Sequence, residues 1–177
     1  MTEEIPFAGY CSRVQAVIED VYGIRVVTRD IPDPLTGDLD GAEIHIDYAV
    51  TPEQRLFLLV HLFGHTVQWN VKPETFALGQ LHQPPVDEAL MGDILNYERE
   101  AASFALGMLH QVGIVDIDQW LADYTQCDGA YLTHYYRTGE VKEFTSFWRD
   151  HAALVEPLPI PSFVPAKRVM RSDGLVI

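Results

Sequence analysis

One stretch constrains this chain more than any other: residues 51–70, which read TPEQRLFLLVHLFGHTVQWN. Thr51 is a preferred N-cap residue, Pro52 suits the first helical position, and Gln54 completes a capping box. The stretch therefore predicts a helix. Because nearly every residue from 56 to 69 is apolar, this helix is expected to be buried on most of its surface.

Two histidines, His61 and His65, interrupt the apolar run four residues apart. On a helix this spacing places both imidazoles on one face, within reach of a single metal ion. Gly64 lowers helix propensity, which indicates a packing reason for it. The spacing is that of the zincin motif His-Glu-x-x-His, but Leu62 stands where the glutamate would act on a metal-bound water. The alternative is an ordinary pair of buried histidines that hold no metal.

Composition limits the classes of partner and the compartment. A chain of 177 residues, 47% of them hydrophobic, is enough for one domain with a core. Its net charge of −14 argues against direct nucleic-acid binding, because phosphates would be repelled. We expect no membrane span, since every apolar run is short, and no signal peptide in MTEEIPFAGY. With two distant cysteines, these features predict a cytoplasmic protein.

The order of predicted elements indicates an α+β fold, mostly helical, with a small sheet packed on the histidine helix. A single domain over residues 1–155 and a proline-rich tail over 156–177 are expected. The predicted elements are a helix at 8–22, a strand at 24–31, a turn region at 33–41, a strand at 42–47, the histidine helix, a loop at 71–86, and helices at 87–112, about 117–139 and 141–155.

Two of these segments carry a more specific interpretation. AEIHID, 42–47, alternates, so Glu43, His45 and Asp47 are interpreted as the solvent-facing side of an edge strand that borders a cleft. The tail cannot be a regular helix because it contains four prolines. Its apolar residues predict that it is ordered through about Val164 and covers the C-terminal helices, with the cleft as the alternative location.

A zinc site with two histidines needs a third protein ligand, commonly from a later helix. Glu98 and Glu100 are the candidates, in NYEREAASFA at 96–105. They lie about 200° apart around a helix, so only one of them can face the histidines. Glu98 falls on the apolar side, and we expect it to be the third ligand.

These two motifs together, HLFGH at 61–65 and EREAASFA at 98–105, resemble the ImmA/IrrE-type metallopeptidases, which are zincins of the gluzincin kind. The resemblance covers roughly residues 8–112. It implies a zincin-like fold and a zinc ion on His61, His65 and Glu98. Leu62 departs from the pattern at the general base. Ala102 departs from it where the family often has an asparagine.

The function expected from this resemblance is that of a zinc-binding, catalytically impaired peptidase that acts in regulation through a protein partner, since family members often work with a DNA-binding repressor. One alternative is an active metallopeptidase whose base is Glu43, Asp47 or Glu100. Another is a metal-free structural or interaction protein. The aromatic run at 131–139 is expected to pack in the core, although His134, Tyr135 or Tyr136 could instead approach the cleft.

Overall fold

The computed structural model describes residues 5–168. Their helices are α1 (Phe7–Asp20), α2 (Pro52–Val71), α3 (Glu88–Gln111) and α4 (Asp118–Thr138), and their strands are β1 (Arg25–Arg29), β2 (Gly37–Leu39) and β3 (Glu43–Asp47). Short 3₁₀ helices span Pro73–Ala77 and Phe144–Phe147. The fold is therefore α+β and mostly helical, as predicted. Within this range no helix combines the length and apolarity that a membrane crossing requires.

Helix α2 is the centre of the core, and its start follows from its sequence. The Thr51 hydroxyl accepts a hydrogen bond from the Gln54 backbone N–H, and the Gln54 side chain accepts one from the Thr51 N–H, which completes the predicted capping box. Thirteen of the twenty residues of α2 are buried. Helices α1 and α3 and the sheet surround it, so the histidines of α2 lie inside the protein.

The three strands form one sheet in the order β1-β3-β2, with β1 parallel and β2 antiparallel to β3. Two predictions are wrong here. The segment 33–41 is not turn throughout, because Gly37, Asp38 and Leu39 pair with β3. Residues 42–47 are consequently the central strand, and β2 is an edge strand. Turn-forming residue types in β2 concealed a strand whose stability comes from backbone pairing and the burial of Leu39.

The polar face of β3 was expected to face solvent, but only Glu43 on it is partly exposed. His45 and Asp47 are buried. The Asp47 carboxylate accepts hydrogen bonds from the backbone N–H groups of Ile31 and Ala49, each at 2.8 Å, while His45 contacts the Asp38 carboxylate. These partners satisfy the polar groups, so the strand can be buried on both faces.

Helices α2 and α3 cross in backbone contact at Gly64. A Cβ atom placed at this glycine would overlap the carbonyl oxygen of Ala101. Only a residue without a side chain allows this separation, which explains the glycine that interrupts an otherwise strong helical stretch. The contact brings the middle of α3, including Glu98, close to the histidine face of α2.

The prediction of a last helix at 141–155 is also wrong. Only Phe144–Phe147 forms a 3₁₀ helix, and the rest of the segment is irregular. Its aromatic residues contact α4: Phe144 lies against Tyr124, and Phe147 against His134. The apolar pattern predicted a helix, but these side chains pack on α4 and the helix does not form, because tertiary contacts override local propensity.

The described part of the tail, residues 156–168, has no regular secondary structure, as its prolines predicted. Between residues 158 and 168 it contacts α2, α3 and the turn at Asp40, not the C-terminal helices, and none of these residues lines the cavity beside the histidine helix. The backbone N–H of Leu158 donates to the Ser103 carbonyl at 3.0 Å, and that of Ala166 donates to the Asn70 side chain at 2.9 Å. Near the end of the described tail, Lys167 forms an ion pair with Asp40. Residues 169–177 lie outside the described range.

Candidate metal centre

The structure brings His61, His65 and Glu98 together in the interior, as their spacing predicted. The two imidazole Nε2 atoms lie 3.1 Å apart. The Glu98 Oε2 atom lies 3.1 Å from the His65 Nε2 atom and 3.5 Å from the His61 Nε2 atom. All three residues are buried, and in the described part of the chain they form a cluster with suitable ligand atoms for one metal ion.

The dimensions of this triangle fit zinc. Ligand atoms bound to zinc at about 2.0–2.1 Å in a tetrahedral arrangement lie about 3.3 Å from one another. The three observed separations, 3.1, 3.1 and 3.5 Å, bracket that value. Two imidazoles and one carboxylate are also a common donor set for catalytic zinc, which leaves the fourth position open.

Gln68 fixes which nitrogen of His65 faces this triangle. The Gln68 Nε2 group donates hydrogen bonds to the Tyr97 carbonyl and to the Glu100 carboxylate, which can only accept. The Gln68 Oε1 atom therefore faces the His65 Nδ1 atom, at 2.9 Å, and accepts its proton. In neutral His65 the Nε2 atom then carries a lone pair.

That lone pair points at the Glu98 carboxylate and at the other imidazole. Three electron-rich atoms so close together repel one another unless a proton or a cation lies between them. A metal ion would use all three lone pairs at once. The chemistry of the donor set thus fits a metal ion, and the hydrogen bond from His65 to Gln68 is of the kind that orients metal-binding histidines.

Aromatic rings hold both imidazoles in place. His61 stacks on Phe57 with ring centroids 5.0 Å apart, and His65 stacks on Tyr97 at 4.4 Å. Tyr97 is itself held by a hydrogen bond from Trp69 to its hydroxyl. The rings therefore keep their orientation without a ligand, so the site is largely preformed.

Burial and mutual repulsion keep this centre short of protons. Burial, together with the charge of His65, lowers the pKa of His61 to about 4. Burial raises the pKa of Glu98, but the charge and hydrogen bond of His65 and the charge of His61 outweigh that effect, and the net pKa is lowered. At neutral pH a free imidazole and a carboxylate are thus available to a cation.

A cavity of about 750 Å³ opens beside His61. Leu62 lines it next to that histidine, at the motif position that a general base would occupy. Much of the cavity lining is aromatic. Its rings come from α2, from α4 and from the segment after α4, and they belong to Phe57, Tyr124, Tyr131, Phe144 and Trp148. The open side of the proposed metal centre is therefore large and mostly apolar.

One acidic residue of α4, Asp128, also lines this cavity. It is buried, with 7% of its surface exposed. Burial and the negative charge of Glu98 raise the pKa of its carboxyl well above the ordinary range. The charge of Glu98 is felt at Asp128, which places the two acids in the same electrostatic environment.

The other acidic residues considered from the sequence do not line this cavity. Glu43 pairs with Arg25, and Asp47 bonds to backbone N–H groups. Glu100 contacts Lys72 and accepts from Gln68, so it acts on His65 only through Gln68. None of them is placed to serve as the missing base.

The aromatic run at the end of α4 was also considered from the sequence as a source of cavity residues. Tyr136 packs in a small cluster with Met91, Ile94 and Leu132, and Tyr135 lies against that cluster. His134 contacts Phe147. None of the three residues proposed to approach the cleft lines the cavity, whereas Tyr131 does.

Sequence reasoning missed Gln68 and Asp128, although each left a signal. Gln68 is a polar residue within the apolar run of α2, one turn after His65. Asp128 follows Tyr124 by four residues and precedes Tyr131 by three, so it interrupts the apolar stripe of α4. A polar residue on a buried stripe indicates a specific hydrogen-bonding or functional role.

Comparisons with known proteins identify no relative of this chain. No protein-family model matches the chain, and neither a curated protein nor a solved structure is significantly similar to it.

Proposed function

We propose that this protein binds one zinc ion through His61, His65 and Glu98. The observation that carries the proposal is the triangle of their ligand atoms, with Gln68 directing the Nε2 lone pair of His65 into it. A zinc ion bound there would supply a Lewis acid for an oxygen atom that enters from the cavity. The resemblance to ImmA/IrrE-type metallopeptidases in residues 8–112 supports the same ligand set and a zincin-like fold.

We further propose that the protein is catalytically impaired and acts by binding a protein partner. Leu62 lines the cavity where the motif base would stand, and it can neither accept nor donate a proton. Loss of general acid–base catalysis costs about 10²–10⁴-fold in rate. The large aromatic cavity remains suited to an apolar side chain of a partner. A regulatory partner is what the family resemblance implies.

Metal binding is tested first, by elemental analysis and by competition with a chromophoric zinc chelator. We expect one zinc ion per chain, and loss of it in the variants His65→Ala and Glu98→Gln. His110→Asn is the matched control, because His110 pairs with Asp118 and does not belong to the cluster. A wild type that binds no zinc at micromolar concentration contradicts the proposal and favours a metal-free interaction protein.

Catalytic impairment is tested with casein as the substrate. We expect little or no cleavage by the zinc-loaded wild type and a gain of activity in Leu62→Glu, because the variant restores a carboxylate beside the metal. A matched Leu62→Gln variant should stay inactive, because glutamine has nearly the shape of glutamate but cannot act as a base. Chelator-sensitive cleavage by the wild type would show that the proposal of catalytic impairment is wrong.

One observation favours a second candidate, an active metallohydrolase with a non-standard base. Asp128 is an acidic residue in the cavity, whereas Glu43, Asp47 and Glu100 line none of it. If the wild type does cleave casein, loss of cleavage in Asp128→Asn would identify this function. Retained cleavage in that variant would exclude Asp128 as the base.

A further inference from the structure

Asp128 differs from the other buried acidic residues because its carboxyl has no partner. Within residues 5–168 no hydrogen bond and no ion pair reaches it, while 7% of its surface is exposed, toward the cavity. Asp123, on the same helix and equally buried, accepts hydrogen bonds from the Gln119 side chain and the Ala152 N–H. Asp40 and Asp47 are satisfied in the same way.

A carboxyl in such a position costs free energy unless something in the cavity contacts it, because the protein itself offers it no hydrogen bond. Nearly all buried polar groups in proteins have a partner, so a carboxyl that faces a cavity without one is available to a group that binds there. Asp128 lines the same cavity as His61, whose Nε2 atom belongs to the metal cluster. A ligand that enters this cavity beside His61 can therefore also meet Asp128.

Asp128 is not itself a member of that cluster. In the described chain the ligand atoms that lie within 4.8 Å of one another come from His61, His65 and Glu98 alone. Asp128 therefore lines the cavity without belonging to the set of atoms that could share one ion. This arrangement favours contact with the bound ligand over contact with the metal.

We propose that Asp128 is the hydrogen-bonding partner of the ligand that binds the open position of the metal centre. The proposal rests on the metal site proposed above. The ligand class is one that carries a metal-binding oxygen next to an O–H or N–H group. A hydroxamic acid is the simplest stable member, with a carbonyl and a hydroxyl oxygen for the metal and an N–H group beside them. Asp128 is a binding residue in this scheme, and no proton transfer is required of it.

The experiment uses the full chain loaded with zinc and measures two affinities for each variant. The zinc affinity is measured by chelator competition, and the affinity for acetohydroxamic acid by calorimetry. We expect Asp128→Leu to keep the zinc affinity within about twofold and to weaken acetohydroxamic acid binding about 5–10-fold, as for the loss of one ordinary hydrogen bond. Asp128→Asn, which retains one acceptor oxygen, should lie between wild type and Asp128→Leu.

Asp123→Asn is the matched control, since Asp123 is equally buried on the same helix but has its own partners. It should leave both affinities unchanged. A fall in zinc affinity of tenfold or more in both Asp128 variants overturns the proposal, because Asp128 would then be a fourth metal ligand. Unchanged binding of acetohydroxamic acid in both variants, or no binding to the zinc-loaded wild type, also overturns it.

These outcomes separate the two proposals. A wild type that binds zinc and acetohydroxamic acid, with Asp128 variants that bind both equally well, leaves the metal centre intact and removes only the role of Asp128. A wild type that binds no zinc overturns the metal centre and, with it, the inference drawn from it.

Discussion

Gln68 is the residue on which the orientation of the candidate metal centre depends most directly. Its Oε1 atom accepts the Nδ1 proton of His65. We expect Gln68→Leu to lower the zinc affinity about 10–100-fold, because His65 loses the hydrogen bond that selects its tautomer. Chelator competition measures the change. Thr66→Val is the control, since Thr66 is equally buried in α2 but donates only to the Leu62 carbonyl. Equal zinc affinities in the two variants would contradict this role.

His61 makes the stability of the metal-free protein depend on pH. Burial and the charge of His65 lower its pKa to about 4, from an ordinary value of 6.5. Between these two values the unfolded chain binds a proton that the folded chain does not. The free energy of unfolding therefore falls as the pH falls from 6.5 toward 4, by up to about 1.4 kcal/mol per pH unit from this residue.

Urea unfolding in the presence of EDTA at pH 7, 6 and 5 measures this dependence. The comparison is with His61→Gln, which cannot take up the proton. We expect the variant to lose less stability than the wild type over the same pH range, because its other titrating groups are unchanged. Parallel curves for the two proteins would show that His61 does not titrate in the folded state as its burial indicates.

At the residue scale, the sequence predicted the ligands better than their surroundings. His61, His65 and Glu98 follow from helical spacing, because positions on one face of a helix are fixed by its period. The position of Gln68 on α2 also follows from the helical period. Its role does not, because that role depends on Tyr97 and Glu100, which come from another helix. Asp128 is brought to the cavity by the packing of α4, which helical periodicity does not determine.

The crossing of α2 and α3 is the element-scale feature that sets the separation of the ligands. We expect Gly64→Ala to lower the free energy of unfolding by about 2–3 kcal/mol and to weaken zinc binding, because the new methyl group overlaps the Ala101 carbonyl and moves α3 with Glu98. Urea unfolding and chelator competition report the two effects.

Gly92→Ala is the control for this substitution, since Gly92 lies in α3 with open space around its Cα atom. It should stabilise the protein by about 0.5–1 kcal/mol, as expected from helix propensity alone. If Gly64→Ala also stabilises the protein, the close contact between the two helices is not as tight as described.

The elements that the sequence predicted well are those with a strong local signal. Helix α2 has a capping box, and α3 has an N-cap at Asp87 that accepts from the Leu90 N–H. The strand β2 has no such signal, because its residues Gly37 and Asp38 are turn formers and its partner strand decides its conformation. The segment after α4 failed for a related reason, since its rings pack on α4 instead of forming their own helix.

At the scale of the whole molecule, the tail joins elements that are far apart in sequence. Val155, Ile160 and Phe163 pack against the main core. We expect truncation after Val155 to lower the Tm by about 5–10 °C, because the chain loses the burial of two large apolar side chains and several backbone hydrogen bonds. Differential scanning calorimetry measures the shift.

Truncation after Arg168 is the control for the tail. It retains every tail contact described here, including the Lys167–Asp40 ion pair and the hydrogen bond from Arg168 to the Trp69 carbonyl. The difference between its Tm and that of the chain truncated after Val155 measures the contribution of residues 156–168. If truncation after Val155 leaves the Tm unchanged, the tail contributes no net stability.

The course of the tail over α2 and α3 has a consequence for the newly made chain. Residues 158–168 follow in sequence every element that they cover, so they are synthesised after all of them. Until they emerge from the ribosome, the ring of Tyr22, on which Phe163 stacks, and the carbonyl of Ser103, to which Leu158 bonds, have no cover from this segment. A chaperone that recognises exposed apolar surface would therefore find on the nascent protein a surface that the finished protein hides.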